Sequence, residues 1–361
     1  MLKLVEKNYY KINCIFMLIL AVYCMCGLIL PLQFITANKI VTSLMTLLGL
    51  LIAMYNLFVK KVYKNVQNIK YLFLFLGVNI VTCAIVIKYG YMTNIKNMIV
   101  FIIYFISIYP VFSLYGKELS KKLYNMFLYV IVAFNSVGVL ISLIQFLLLK
   151  GYKSENYKGR WVRQGFIESR LFGIFSDPNY LSITSLITII FLTIGIGTLV
   201  KKQNIIRWTA VTLNYFYIVL SGSRTTFICL VVVSLVYSLI KFLDGKDLKK
   251  SAIKIFDSII LVVVSYKAVA FTGEQYLKLN VTKVQEEKKE HEQKYSLERT
   301  DTSEENISNN RFTIWQSTAR LDVKKPILGY SSGNWYEVAK TKDPNEYVVK
   351  EHYYTHNGYL E

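Results

Sequence analysis

The chain has 361 residues, 54% of them hydrophobic, and a mean hydropathy of +0.38, which is too apolar for an ordinary soluble protein of this size. A net charge of +19 is compatible with a nucleic-acid binder, but the basic residues gather between apolar runs. That pattern belongs to a membrane protein and excludes nucleic acid as the partner.

Ile12–Leu32 and Ile35–Val59 open the chain as apolar runs, each holding enough residues to cross a bilayer, which takes about 20. Tyr71–Ile87, Met98–Leu114 and Tyr124–Leu149 follow, then Tyr180–Val200, Ile205–Leu220, Thr225–Leu243 and Ala252–Phe271. The expectation is an all-α polytopic membrane protein with about nine spans. A signal peptide before a soluble domain is excluded, because the runs continue past the first. Lysines and arginines occupy every second connection: Lys3, Lys7 and Lys11; Lys60, Lys61, Lys64 and Lys70; Lys117, Lys121 and Lys122; Lys201, Lys202 and Arg207; Lys241, Lys246, Lys249 and Lys250. The positive-inside rule then puts the N-terminus in the cytoplasm and the segments after spans five, seven and nine outside. Membrane lipid is a partner by the same argument. The expected organisation is a five-span bundle over 1–149, a basic outer loop over 150–178, a four-span bundle over 179–271 and a large outer segment over 272–361. The cysteines all fall in apolar runs, and no spacing resembles a zinc site.

Outer connections should be poor in basic residues, yet Lys150–Asp177 holds Lys150, Lys153, Lys158, Arg160, Arg163 and Arg170. Long translocated loops tolerate such residues; alternatively, the arginine forks serve phosphate oxygens. Asp177 suits an N-cap and Pro178 the first helical position, so a helix begins with Asn179 in its first turn beside Arg170. A helix start beside arginine is a place for an anion. "SGSRTTF" (221–227) repeats the arrangement: Ser223 caps the next span and Arg224 sits in its first turn, where the dipole disfavours a cation. An anionic ligand or a lipid phosphate would explain it.

The stretch Val284–Asn310 is highly charged and reads as a solvated helix or an insertion. An amphipathic helix is predicted over Phe312–Val323, ended by Pro326 and Gly329. Of the three histidines, His291 lies in the charged run, His352 has no assigned role, and His356 is a candidate general base or a plain surface histidine.

"RLFGIFSDPNYLS", "LSGSRTTF", "RFTIWQSTARLDVKKPILGYSSGNW" and "HNGYLE", in that order, resemble the O-antigen ligase/polymerase superfamily, in particular a Wzy-type polysaccharide polymerase. The resemblance runs from Arg170 to the end of the chain. It implies a metal-independent glycosyltransferase, without cofactor, in the bacterial cytoplasmic membrane. Such an enzyme polymerises undecaprenyl-diphosphate-linked oligosaccharide repeats into capsular or O-antigen polysaccharide on the outer face. Arg170, Arg224 and Arg311 would hold the donor diphosphate, and His356 would act as base or position the acceptor hydroxyl. Gly329, Gly333 and Asn334 would shape the covering loop. Arg160, Arg163, Asp177, Asn179, Ser223, Trp315, Arg320 and Asn357 complete the expected substrate-binding set. A flippase and a chain-length regulator of the same pathway are the expected protein partners. Trp315, Trp335, Tyr336, Tyr353 and Tyr354 either stack on sugars or anchor the segment at the interface. Family members usually continue beyond the H-N motif, so ending at Glu361 suggests a truncated chain lacking its C-terminal spans, whose activity is then in doubt. Two other activities stay open: an O-antigen-type ligase using another acceptor, and a flippase. Few ionisable residues lie at mid-span, which argues against transport.

Overall fold

A computed structural model describes residues 2–155, 161–195, 204–243, 248–287, 297, 310–331 and 333–351. Among the described residues, four helical stretches are long and apolar enough to cross a membrane: Asn8–Leu28, Lys39–Phe58, Tyr91–Leu114 and Lys117–Leu147. The other runs of the sequence also fall on helices. Ile69–Ile85, Pro178–Thr193 and Arg224–Ile240 are apolar but short. Ile69–Ile85, with 17 residues, rises only about 26 Å, less than the roughly 30 Å of a hydrocarbon core. Asn204–Leu220 is equally short, and Leu248–Glu287 is long but carries charge at both ends. The protein is therefore a predominantly helical, multi-pass membrane protein, with four helices among the described residues that have the length and composition of a span.

The chain forms two compact units. The first comprises Met1–Met17, Lys39–Leu123 and Asp301–Glu361. Its membrane part packs Lys39–Phe58, Ile69–Ile85 and Tyr91–Ile102 around Ala53, Val62, Val66, Ile69, Leu76 and Ile106. Tyr91–Ile102 continues into a π-helical stretch, Ile103–Ile108. A π turn shifts the backbone hydrogen bonds out of their regular register. Here Asn56 Nδ2 donates to the Ile106 carbonyl at 2.6 Å, and Ser107 Oγ to the Gly49 carbonyl at 2.6 Å.

The same unit holds the helix Arg311–Lys324, where one was predicted over Phe312–Val323. Its buried residues are Ile314, Ser317, Thr318 and Leu321, the i, i+3, i+4, i+7 stripe of an amphipathic helix. That stripe joins Val86, Tyr330, Val338, Ala339, Val348 and Val349 in one small core.

The second unit comprises Leu18–Asn38 and Tyr124–Thr300. It departs from an all-α reading. The loop after Lys117–Leu147 folds into an antiparallel three-stranded sheet, with β1 at Gly151–Glu155, β2 at Trp161–Ile167 and β3 at Arg170–Gly173. Glu168 and Ser169, with φ of 50° and 59°, form the two-residue left-handed turn that matches strand twist. Around the sheet, Val139, Leu143, Phe146, Phe166, Leu171, Phe175, Leu181, Tyr217, Leu220 and Leu277 share a buried core.

Candidate active site

β3 and the residues after it form a strap held at both edges. Leu30 N–H donates to the Ile174 carbonyl at 2.8 Å, and Ser176 N–H to the Leu28 carbonyl at 3.0 Å. The Ile174 N–H donates to Ser142 Oγ at 3.2 Å. Tyr217, fully buried, donates its hydroxyl toward the Leu171 and Phe172 carbonyls at 3.1 and 3.2 Å.

The strap also explains its own glycine. Gly173 has φ +65°, and a Cβ there would lie 1.9 Å from Ser142 Oγ. On the facing helix, a Cβ at Gly138 would lie 2.4 Å from the Phe175 ring. The G-x-F of "RLFGIF" is thus a packing device, two close approaches that fix the strap on Lys117–Leu147.

Arg170 begins the strap. Its Nε donates to the Ser221 carbonyl at 2.9 Å and an Nη to Asn179 Oδ1 at 2.6 Å. Both acceptors are neutral, so neither bond cancels the guanidinium charge. One acceptor lies in the first turn of the helix Pro178–Ile190, the other in the turn before the helix Arg224–Leu243. Asp177 caps the first helix as expected, accepting from the Asn179 N–H at 2.6 Å, with Pro178 at the first position. Ser223 Oγ stands 3.5 Å from the Thr226 N–H, in the capping position of the second. The two helix starts are linked directly, because Ser182 Oγ and Thr226 Oγ1 lie 2.7 Å apart, and Ser223 Oγ is 3.0 Å from the same Thr226 hydroxyl. All three hydroxyl residues are buried. Arg224 is exposed in the first helical turn. The structure therefore brings together Arg170, Asp177, Asn179, Ser223 and the helix start that carries Arg224.

Lys153 and Arg163 of this loop face a carboxylate. Glu168 takes Lys153 Nζ at 2.7 Å and Arg163 Nε at 2.8 Å, and the Arg163 guanidinium lies 5.9 Å from the Phe172 ring centre. Arg163 thus forms a part-exposed ion pair at the sheet.

The remaining described candidates belong to the first unit. Arg311 is exposed at the first position of its helix, and Trp315 is half-buried on the small core, edge-on to Phe312 at 5.7 Å. Arg320 pairs with Glu346 at 3.1 Å, and Glu346 also receives Ser317 Oγ at 3.1 Å and Lys324 at 3.5 Å. Burial raises the Glu346 carboxyl, but the bonds from Ser317 and Arg320 outweigh it and hold the group below its ordinary value. Lys324 and Tyr330 hydrogen-bond Asp343 and hold it down likewise. Gly333 and Asn334 dock "PILGYSSGNW" on the connection before Tyr91–Ile102. Gly333 N–H donates to Asn94 Oδ1 at 3.0 Å, and Ser331 Oγ to the same atom at 2.6 Å. Asn334 Nδ2 donates to the Gly90 carbonyl. A Cβ at Gly333 would lie 2.8 Å from Asn94 Oδ1, whereas Gly329 needs its glycine for a φ of +62°. Arg160, His352, His356 and Asn357 lie outside the described residues.

Sequence reasoning passed over one cluster. Asn135 Nδ2 lies within hydrogen-bond distance of Asn214 Oδ1 at 2.7 Å, of Thr188 Oγ1 at 3.2 Å and of Ser185 Oγ at 3.4 Å, and Thr184 Oγ1 donates to Asn135 Oδ1 at 3.0 Å. Asn135 and Asn214 are fully buried and join the helices Lys117–Leu147, Pro178–Ile190 and Asn204–Leu220 beneath the site. The signal was an asparagine inside each of two apolar runs, since buried amides between membrane helices must find partners.

Residues 209–361 match the family model of the O-antigen ligase domain, Wzy_C. The match includes Ser223, Arg224 and Arg311, while Arg170 and the strap precede it. It supports the O-antigen ligase/polymerase superfamily. No curated protein and no solved structure matches the chain.

Proposed function

We propose, taking the O-antigen ligase domain at residues 209–361 as the premise, that this membrane protein is a polymerase of lipid-linked glycan repeats. The donor is an undecaprenyl-diphosphate-linked oligosaccharide on the outer face of the cytoplasmic membrane. The acceptor is the terminal sugar of a second such lipid. In the step, the acceptor hydroxyl oxygen bonds to the anomeric carbon of the donor. The bond from that carbon to the phosphate oxygen breaks, and undecaprenyl diphosphate leaves with the electron pair. The hydroxyl proton passes to His356.

Negative charge grows on the diphosphate as that bond breaks, and fixed positive groups at a low-dielectric boundary stabilise it. Arg170 and Arg224 are assigned this task, with the starts of Pro178–Ile190 and Arg224–Leu243 adding their dipoles. The observation that carries the reading is Arg170 spanning both helix starts through Asn179 and the Ser221 carbonyl. Such an arginine needs no reorganisation when the leaving group forms. The proposed chemistry uses no divalent ion.

Extension of a purified lipid-linked repeat, with and without chelator, tests this. A glycan ladder that grows in chelator supports the scheme; one that stops in chelator and returns with added metal overturns its metal-free form. The family description favours a second reading, transfer of finished glycan to a different acceptor. It predicts single transfer to that acceptor and no ladder.

A further inference from the structure

The first compact unit contains an apolar groove flanked by two lysines, with Gly329 also in its lining. This groove, enclosing about 380 Å³, is lined by Thr82, Ile85 and Val86 on one side and by Pro326, Ile327 and Leu328 on the other, with Lys325 and Lys342 at its rim. Its walls are fixed: Thr82 Oγ1 donates to the Leu328 carbonyl at 2.7 Å, and Val86 belongs to the small core. The groove stands at the C-terminal end of the apolar helix Ile69–Ile85. Its apolar lining stays open, with Ile85 58% and Ile327 80% exposed.

The two lysines make this more than a greasy notch. Burial and a contact between the Lys325 and Lys342 side chains push the Lys325 ammonium below its ordinary value, against the pull of Asp343. Lys325 lies 4.4 Å from the Tyr330 ring centre. Among the described residues neither lysine has an ion-pair partner. Two nearby carboxylates are committed, Asp343 to Lys324 at 2.6 Å and to Tyr330 at 2.6 Å, and Glu346 to Arg320. Two cations held side by side at an apolar boundary repel each other unless an anion lies between them.

We propose that this groove binds an anionic phospholipid of the surrounding membrane, its phosphate between Lys325 and Lys342 and an acyl chain along Ile85 and Ile327. A free phosphate would meet the charge and leave the apolar wall bare. A zwitterionic lipid would cover the wall and bring its own cation to the lysines. An anionic phospholipid alone matches both halves, and bound there it ties the outer segment to the helix Ile69–Ile85.

Native mass spectrometry of the full chain in detergent, titrated with phosphatidylglycerol or phosphatidylcholine, tests the proposal. Wild type should retain phosphatidylglycerol preferentially, with inorganic phosphate failing to displace it. A Lys325→Gln/Lys342→Gln chain should bind it about thirty-fold more weakly, taking roughly 1 kcal/mol per lysine near a lipid surface. Lys325→Arg/Lys342→Arg should retain it, as should Lys60→Gln/Lys61→Gln, which removes two lysines elsewhere. Equal retention of the two lipids by wild type, unchanged affinity in the glutamine pair, or displacement by inorganic phosphate would each overturn the proposal. If the glutamine pair fails to fold, the arginine pair and the wild-type lipid preference still decide. The readout does not involve sugar transfer, so failure here leaves the proposed glycan chemistry untouched, and the reverse holds.

Discussion

Gly173→Ala tests whether the strap positions Arg170. The new Cβ would sit 1.9 Å from Ser142 Oγ and 2.2 Å from Ser142 Cβ, at a φ of +65°. A left-handed alanine costs roughly 1–2 kcal/mol, and overpacking a filled site costs roughly 1–3 kcal/mol. The sum is about 2–5 kcal/mol of stability. Ser142→Gly removes the colliding atoms but has a cost of its own. The Ile174 N–H loses its acceptor, worth about 1–3 kcal/mol when buried, and a helical glycine adds about 1 kcal/mol. Because the two residues touch, the double variant should cost less than the sum of the singles by about 1–3 kcal/mol. Equilibrium unfolding in mixed micelles gives the four stabilities. Glycan extension by the folded fraction should fall in Gly173→Ala and partly recover in the double variant, since Gly173 ends the strand that Arg170 begins. Costs that add within about 0.5 kcal/mol, or a folded Gly173→Ala chain with wild-type extension, would refute the argument.

Arg170→Ala and Arg224→Ala should each abolish polymer while the protein still inserts; a loss of about 2.7–4 kcal/mol from the barrier is the scale for one fixed donor. Wild-type polymer length in both variants would remove the assignment. Arg224→Lys should also be poor, because an ammonium cannot grip two oxygens as a guanidinium does; normal extension would show that charge alone suffices. His356→Ala should depress extension and flatten its pH profile, and an unchanged profile would put proton transfer elsewhere. The small core built on the helix Arg311–Lys324 should be acid-labile. The Asp343 and Glu346 carboxyls are held below their ordinary values of 3.8 and 4.5, so their stabilisation is complete above those values and disappears as pH falls through the depressed ones. Limited proteolysis of that core should accelerate below about pH 4, and a Glu346→Gln chain should show a weaker pH dependence; equal protection at all pH values would refute it.

Much of the helical framework was legible because burial in lipid leaves long apolar runs. The Asp177-Pro178 start and the Ser221–Ser223 turn were equally legible, since caps and tight turns are written in adjacent residues. The sheet was not. β1 and β2 carry charges and glycines in place of a clear apolar alternation, and what makes them strands is pairing between Gly151–Glu155 and Trp161–Gly165. Nor could sequence show that Glu168 pairs with Lys153 and Arg163 across the hairpin. The four-span count reflects helices such as Ile69–Ile85 and Asn204–Leu220, whose apolar character is evident while their rise falls short. The Asn135–Asn214 pair was visible as two polar residues in apolar runs, but its meaning depends on three helices meeting.

Arg170 grips Ser221 by its carbonyl, an atom every amino acid supplies. The buried Ser221 hydroxyl accepts from the Ser223 N–H at 3.3 Å and donates to the Ile218 carbonyl at 2.8 Å, so the turn that presents the Ser221 carbonyl oxygen is itself fixed. Adding or deleting one residue between Leu220 and Arg224 would swing that oxygen away and slide the Ser182–Thr226 contact out of step. The spacing of this corner therefore matters as much as its buried hydroxyls, and a one-residue indel there would stop the two helix starts acting together.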